Sequence, residues 1–185
     1  MSGTVLEKIG QLLRRLLDQR DGAAAVEFAL IVPFLLALYT GGVELIVGIM
    51  IDRQVTLVAS TVANITAQYT TISASTQMPD ILNASSQILA PYPVSSATVV
   101  VSCISIDASG NATVAWSKAL NTTARTAGSA ITIPSSLATP NSSIVLGETT
   151  YRYTPFADLI HLGTITLRGT TYMVPRAATA INLTS

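Results

Sequence analysis

The chain has 185 residues, of which 49% are apolar and 11% charged, and its ten basic side chains equal its ten acidic ones. This length accommodates one membrane helix and one modest domain. The balanced charge, with no basic run after the first 20 residues, excludes a nucleic-acid groove. The single cysteine, Cys103, excludes an internal disulfide and a cysteine-based zinc site, and no cofactor is expected.

The first 21 residues are predicted to form a short amphipathic helix on a membrane surface. Apolar side chains recur there at intervals of three and four, with basic side chains available to the other face. Four Lys or Arg residues precede the long apolar run of the chain, and only Arg53 follows it closely. By the positive-inside rule, the N-terminus lies in the cytoplasm and the C-terminal part outside.

A membrane-spanning helix is predicted from about Phe28 to Ile51. Glu44 is the only charged side chain in this run, and the helix would be roughly 36 Å long, which is enough to cross a ~30 Å hydrocarbon core with some tilt. Pro33 either kinks this helix or is simply tolerated in it. Gly41, Glu44 and Gly48 share a face on which a second helix can approach closely, so they are candidate packing residues.

The helix is predicted to continue outward, so that it runs from Ala23 to about Ile72. An apolar stripe on this outer half recurs at intervals of three and four. Its members are Val55, Val58, Val62, Ile65, Tyr69 and Ile72. The stripe must be buried against either the head of the same chain or neighbouring copies, and the sequence leaves both alternatives open.

The rest of the chain predicts a small α+β head. A short helix begins near Thr76 to Pro79 and ends at about Leu89. A hairpin is predicted from residues 98–106 and 112–116, with a weak strand at 130–133 and further strands at 144–154 and 164–174. Gly169 indicates a bulge in the last strand. The fold class is therefore α+β, with a long N-terminal transmembrane helix that continues outward and packs on a small antiparallel sheet.

The start of the apolar helix carries a recognisable string. The residues GAAAVEF at 22–28, after a charged leader, resemble the processing site of type IV pilin-like precursors. The longer string GAAAVEFALIVPFLLALYTGGVEL is similar to the TadE-like proteins of the tight-adherence (Tad, type IVc) pilus, which are minor pilins or pseudopilins. The abundant major pilin of that system is little more than a leader and a helix, so the head of this chain points to a minor component.

The resemblance implies cleavage between Gly22 and Ala23 by a membrane prepilin peptidase. Glycine loosens the helix at that point and fits a narrow pocket beside the scissile bond. Cleavage would create an ammonium group on Ala23, and Glu27 would pair with it or with a neighbour's, because an unpaired buried carboxylate costs roughly a few kcal/mol. The predicted partners are therefore the peptidase, other pilin-like subunits of the Tad machinery and the lipid of the inner membrane.

The predicted organisation is a cytoplasmic leader (1–22), a transmembrane and stalk helix (23–72) and a periplasmic head (73–185). The predicted function is that of a structural minor pilin, anchored by a single pass in the bacterial inner membrane and used in pilus assembly or priming. The alternative is an uncleaved, signal-anchored periplasmic binding module. An enzyme is not expected, because the acidic residues outside the helix are scattered and His161 is the one histidine.

Overall fold

The computed structural model describes residues 20–156, 163–177 and 179–185, with side chains from residue 22 onward within these ranges. The predicted fold class is confirmed, because a long N-terminal apolar helix is followed by a small, mainly antiparallel sheet. The chain divides into two compact units, Met1–Leu45 and Ile46–Ser185. The amphipathic helix predicted for residues 1–21 lies almost entirely outside the described residues.

Helix α1 spans Arg20–Thr66 and contains Pro33. It ends before the predicted limit near Ile72. After Thr66 the backbone amides of Gln68 and Tyr69 bond three residues back, which closes the helix with a tighter turn. Strand β1, Thr71–Ser73, follows. Its β-branched residues favour an extended backbone, so Ile72 continues the apolar spacing of the stripe but is buried from a strand.

The head contains one further helix and five further strands among the described residues. These are α2 (Gln77–Leu89), β2 (Ala97–Ile106), β3 (Ala112–Leu120), β4 (Ser142–Tyr153), β5 (Ile165–Met173) and β6 (Asn182–Thr184). A four-stranded antiparallel sheet has the order β3-β2-β4-β5, and β1 pairs with β6 in a separate parallel pair. The predicted helix near 76–89, the β2–β3 hairpin and the strands at 144–154 and 164–174 are confirmed. Their ends agree within two residues, except that β3 continues to Leu120, four residues beyond its predicted end.

Two local predictions were wrong. Gly169 is not a bulge, because β4 and β5 keep one register through Thr149 and Gly169. The bulge lies instead between Cys103 and Ile104, where the β2–β3 register shifts. The weak strand expected at 130–133 is reduced to a single bridge between Thr113 and Ala130.

The four-stranded sheet has an apolar core on each face. One core contains the outer half of α1 and the inward residues of β2, among them Val99 and Val101. The other contains Ile104, Ile106 and Leu146, and side chains of the long β3–β4 connection pack against it. Alternation along β2 and β4 accounts for this division, because successive strand side chains point to opposite faces. The helix α1 therefore covers one face of the sheet, and an irregular segment covers the other.

Candidate assembly segment

The predicted processing site lies in the first turns of α1. Gly22 is half-buried, whereas Ala23 and Glu27 are exposed, and all three residues have helical backbone. Four residues separate Ala23 from Glu27, so the two lie on neighbouring turns of one face, roughly 6 Å apart along the axis. In the uncut chain the nitrogen of Ala23 belongs to a peptide bond and carries no charge.

The part of α1 that follows Glu27 has an apolar surface on every side. Large side chains are exposed all around it, including Phe28, Phe34 and Leu38, and Phe34 is 76% exposed. Within the described residues this is the one helix long and apolar enough to cross a membrane, with a mean hydropathy of 2.1 in its most apolar stretch. A helix that is apolar all round requires an apolar surrounding medium. This helix is therefore a candidate membrane span.

The face of Gly41, Glu44 and Gly48 differs from one end to the other. A Cβ added at Gly41 would meet nothing within 4 Å, so this position is open to a neighbour. Glu44 is half-buried and takes part in an interaction. At Gly48 an added Cβ would lie 3.6 Å from the ring of Tyr153, which shows that the head already contacts this position. The prediction from sequence missed this contact, because a lone tyrosine on a distant strand gives no signal of its partner.

The apolar stripe on the outer half of α1 is buried against the head of its own chain. Val55, Val58 and Val62 are completely buried and belong to the core under the sheet. Of the two alternatives that the sequence left open, the structure therefore shows the first. Burial of three valines would contribute several kcal/mol, at roughly 1.5–3 kcal/mol for each side chain. The exposed apolar surface of α1 is then concentrated before this stripe.

Two glycines of the sheet allow α1 to lie directly on the strand backbones. A Cβ at Gly147 of β4 would overlap the carbonyl oxygen of Ala59. At Gly169 of β5, a Cβ would lie 2.8 Å from both Cα of Thr56 and the carbonyl oxygen of Val55. The nearest atoms at both positions belong to the backbone of α1, which cannot move aside as the end of a flexible side chain can. Both positions therefore require glycine. A bulge is one explanation for a glycine within a strand, but at Gly169 the glycine is needed because the backbone of α1 approaches the strand closely.

The C-terminal segment closes the head through polar contacts that the sequence did not reveal. The indole nitrogen of Trp116 donates to the carbonyl oxygen of Ile181 at 2.7 Å, and Ser143 Oγ donates to that of Thr179 at 2.5 Å. Cys103 is buried beside this segment, and burial raises the pKa of its thiol above its ordinary value. The thiol is thus structural in character.

The described residues contain no group of three or more His, Cys, Asp and Glu side chains that could hold a metal ion. His161 lies outside the residues that the structure describes. The head has small open grooves on its surface, with volumes of about 240 to 300 Å³. The most distinctive feature of the described residues is therefore the long helix: its large side chains before Ile46 are exposed, and one stripe beyond that residue is buried under the sheet. Such an arrangement is typical of membrane-anchored, pilin-like proteins.

Comparison with known proteins agrees with this class. Residues 22–64 match the family model described as TadE-like protein. The resemblance predicted from the string at 22–45 is therefore confirmed, and the match supports a TadE-like protein of the Tad pilus system. No curated protein and no solved structure matches the chain. The match begins at Gly22, ends two residues before the end of α1 and does not extend into the sheet.

Proposed function

We propose that this chain is a structural minor pilin of a Tad pilus, made as a precursor, cleaved after Gly22 and then used in pilus assembly or priming. The single observation that carries the proposal is the family match over residues 22–64, which starts at the residue on the N-terminal side of the proposed cut. The helical geometry supports it, because Glu27 lies one turn from Ala23 on an exposed surface. The proposed role is structural and not enzymatic.

The leader acts in this proposal as a control on assembly. Before cleavage, Ala23 has no amine, so the carboxylate of Glu27 has no terminal cation to pair with. After cleavage, the new ammonium lies within reach of Glu27 on the same helix or on a neighbouring subunit. Pairing removes the cost of placing an isolated carboxylate among packed apolar helices. Proteolysis thus makes the helix competent to leave the lipid and pack with other pilin-like helices.

The face of Gly41 and Glu44 is the proposed contact for such a neighbouring helix. Gly41 leaves open space where a second backbone can approach, and small residues favour close helix contacts in a membrane. Gly48, which the sequence also placed on this face, contacts Tyr153 of the same head. The proposed contact is therefore restricted to the part of the face that precedes Gly48.

The cleavage step is tested by mass spectrometry of the intact chain from its native host, with and without the prepilin peptidase. We expect a chain that begins at Ala23 only when the peptidase is present. Gly22→Trp should block processing, whereas the control Gly41→Trp, the same change in the same helix, should leave it intact. An intact leader in both hosts would refute the proposal and favour an uncleaved, signal-anchored binding module.

The role of Glu27 is tested by recovery of the processed chain in sheared pili. Glu27→Ala should be processed normally but should be absent from the pilus fraction, because its helix cannot pair with a terminal ammonium. Asp52→Asn is the matched control, since it removes a carboxylate that lies exposed farther along the same helix. Normal recovery of Glu27→Ala would eliminate the pairing argument while leaving the cleavage result unaffected.

A further inference from the structure

The face of the four-stranded sheet that points away from α1 has a polar half. Its apolar residues, such as Ile104 and Leu146, lie towards the β2–β3 turn, where the β3–β4 connection packs on them. Gly147 and Gly169 lie against α1, so the strand residues beside them point away from it. Residues paired in register share a face, so polar side chains of three strands form one surface. This polar half-face consists of Thr98, Glu148, Thr150, Arg152, Arg168 and Thr170.

The polar half-face carries two arginines that have no acidic partner within the described residues. The one ion pair there joins Arg125, from the β3–β4 connection, to Glu148, and one guanidinium nitrogen contacts both carboxylate oxygens at 2.6 and 2.7 Å. This pairing neutralises Glu148. Arg152 and Arg168 are exposed and are diagonal neighbours on adjacent strands, with roughly 7–8 Å between their Cα atoms. Their like charges repel each other, so the surface favours an anion that can bind both.

A groove beside Glu148 adds hydroxyl groups to this charge. It has a volume of about 240 Å³, and threonines from β2, β4 and the β3–β4 connection line it together with the Arg125–Glu148 pair. Val100 is its one apolar lining residue. A threonine hydroxyl both donates and accepts hydrogen bonds. The groove therefore suits a ligand that presents hydroxyl groups next to the anions that the arginines attract.

The chemistry of the polar half-face favours one class of polymer. The centre of a protein–protein interface is rich in aromatic and apolar side chains, and the bases of single-stranded nucleic acid stack on aromatic rings. The six residues of the polar half-face include neither kind of side chain. A guanidinium group binds a carboxylate through two parallel hydrogen bonds. A polymer that carries both carboxylates and hydroxyl groups, which is an acidic polysaccharide, therefore matches arginine and threonine together.

We propose that the polar half-face binds an acidic polysaccharide. Arg152 and Arg168 each hold a carboxylate of the polymer. Thr150, which is paired with Arg168 and also lines the groove, bonds a sugar hydroxyl. Charge complementarity selects this occupant, because both guanidinium groups are exposed and lack an acidic partner within the part of the chain that the structure describes. The inference goes beyond the proposed structural role, since it gives the head a binding activity.

The test measures binding of the full, uncut chain, in nonionic detergent micelles, to immobilised polygalacturonate, whose sugars each carry a carboxylate. Surface plasmon resonance gives the Kd at a fixed ionic strength. The double variant Arg152→Gln with Arg168→Gln removes both unpaired charges of the site. Arg53→Gln with Arg176→Gln is the matched control, because it removes two exposed arginines that lie outside the polar half-face. The emission of Trp116 checks that every variant is folded.

We expect the first pair of substitutions to raise the Kd at least tenfold, and the control pair to raise it less than twofold. Added salt should weaken binding by the unsubstituted chain, because the contacts join exposed charges. Absence of binding by the unsubstituted chain would overturn the inference. Equal losses in the two double variants would also overturn it, since the attraction would then come from overall charge.

Two further ligands separate a polysaccharide from other polymers. Dextran has hydroxyl groups without carboxylates, and polyglutamate has carboxylates without sugars. We expect both to bind at least tenfold more weakly than polygalacturonate, and equal affinity for either would overturn the class of ligand.

The contribution of the groove is tested by Thr150→Val, which keeps the shape of the side chain but removes its hydroxyl group. It should weaken polygalacturonate binding several-fold, whereas Thr113→Val, the same change at an exposed position of β3, should not. An unchanged Kd in Thr150→Val would overturn the assignment of the groove to this site. Because the uncut chain is used throughout, failure of the proposed cleavage would not affect these results.

Discussion

The two halves of α1 have the same secondary structure but opposite surroundings. Before Ile46 its large side chains are exposed, whereas beyond it one stripe is completely buried under the sheet. The difference does not come from the number of large aliphatic residues, because both halves are rich in valine, leucine and isoleucine. It comes from spacing: the outer half interrupts its apolar residues with Thr, Ser, Asn and Gln, so one face alone must leave water. The two halves of one helix are therefore suited to different surroundings: an apolar medium for the first half, and water with one face packed on the sheet for the second.

The largest expected effect comes from truncating a buried residue of this helix and comparing it with an exposed neighbour. Ile51 is 1% exposed and Ile49 is 46% exposed. Ile51→Ala should lower the free energy of unfolding of the head by about 2–5 kcal/mol, because it leaves a cavity under the sheet. Ile49→Ala should lower it by less than about 1 kcal/mol, as expected for an exposed position. Equal losses would contradict the burial of a single face of the outer half under the sheet.

The measurement is denaturant unfolding of the full chain in detergent micelles, followed by tryptophan fluorescence. Trp116 is the only tryptophan of the chain, is 8% exposed and bonds to the backbone of Ile181, so its emission reports the head. The same helix is present in every variant, and alanine favours helix at both positions. A difference between the variants therefore reflects packing.

A smaller effect is expected at the backbone contact between the helix and the sheet. Gly169→Ala should lower the same free energy by about 1–3 kcal/mol, because its Cβ would lie 2.8 Å from backbone atoms of Thr56 and Val55. Gly48→Ala is the matched control, since its Cβ would lie 3.6 Å from the Tyr153 ring, an ordinary contact. It should be neutral, or stabilising by up to about 1 kcal/mol through helix propensity. A harmless Gly169→Ala would show that the strand and helix can separate without cost.

These positions also show what could be predicted from the sequence and what could not. The span, the stripe and the β2–β3 hairpin follow from periodicity and turn residues, which are local properties of the chain. The contacts of Gly169 with Thr56, and of Tyr153 with Gly48, join residues about a hundred positions apart. No local pattern encodes such pairs. A strand glycine indicates a bulge or a close approach equally well, and only the tertiary structure decides between them.

The end of α1 and the β1–β6 pair show the same limit. The helix was predicted to extend to Ile72 because apolar side chains recur at intervals of three and four residues through Tyr69. The strand at Thr71–Ser73 exists because the C-terminal residues Asn182–Thr184 pair with it in parallel, more than a hundred residues away. For the candidate site, the string around Gly22 and Glu27 predicted the family, which the match confirms. Cleavage and pairing remain predictions, because they depend on other proteins.

The smallest expected effect is at the end of the head farthest from the helix contact of Tyr153, in the β2–β3 turn. Asn111 donates two hydrogen bonds to the carboxylate of Asp107, one from its side-chain amide at 2.9 Å and one from its backbone amide. These bonds, of which the side-chain bond has the larger effect, hold the pKa of Asp107 below its ordinary value of 3.8. The amide of Ser109 donates to the same carboxylate at 2.8 Å. Because the folded pKa is the lower one, this stabilisation is fully present above pH 3.8 and is lost as the pH falls through the folded pKa.

The titration is followed through the amide chemical shifts of Ser109 and Asn111 in the full chain in micelles. We expect a common midpoint below pH 3.8 for both amides, and no such titration in Asp107→Asn. The unfolding midpoint reported by Trp116 should hardly change over the same range, because the turn is exposed and its loss leaves both apolar cores intact. A midpoint at or above the ordinary value would contradict the hydrogen-bonded turn. A simultaneous loss of the head would instead show that this polar turn, and not only the packing against α1, is needed for the fold.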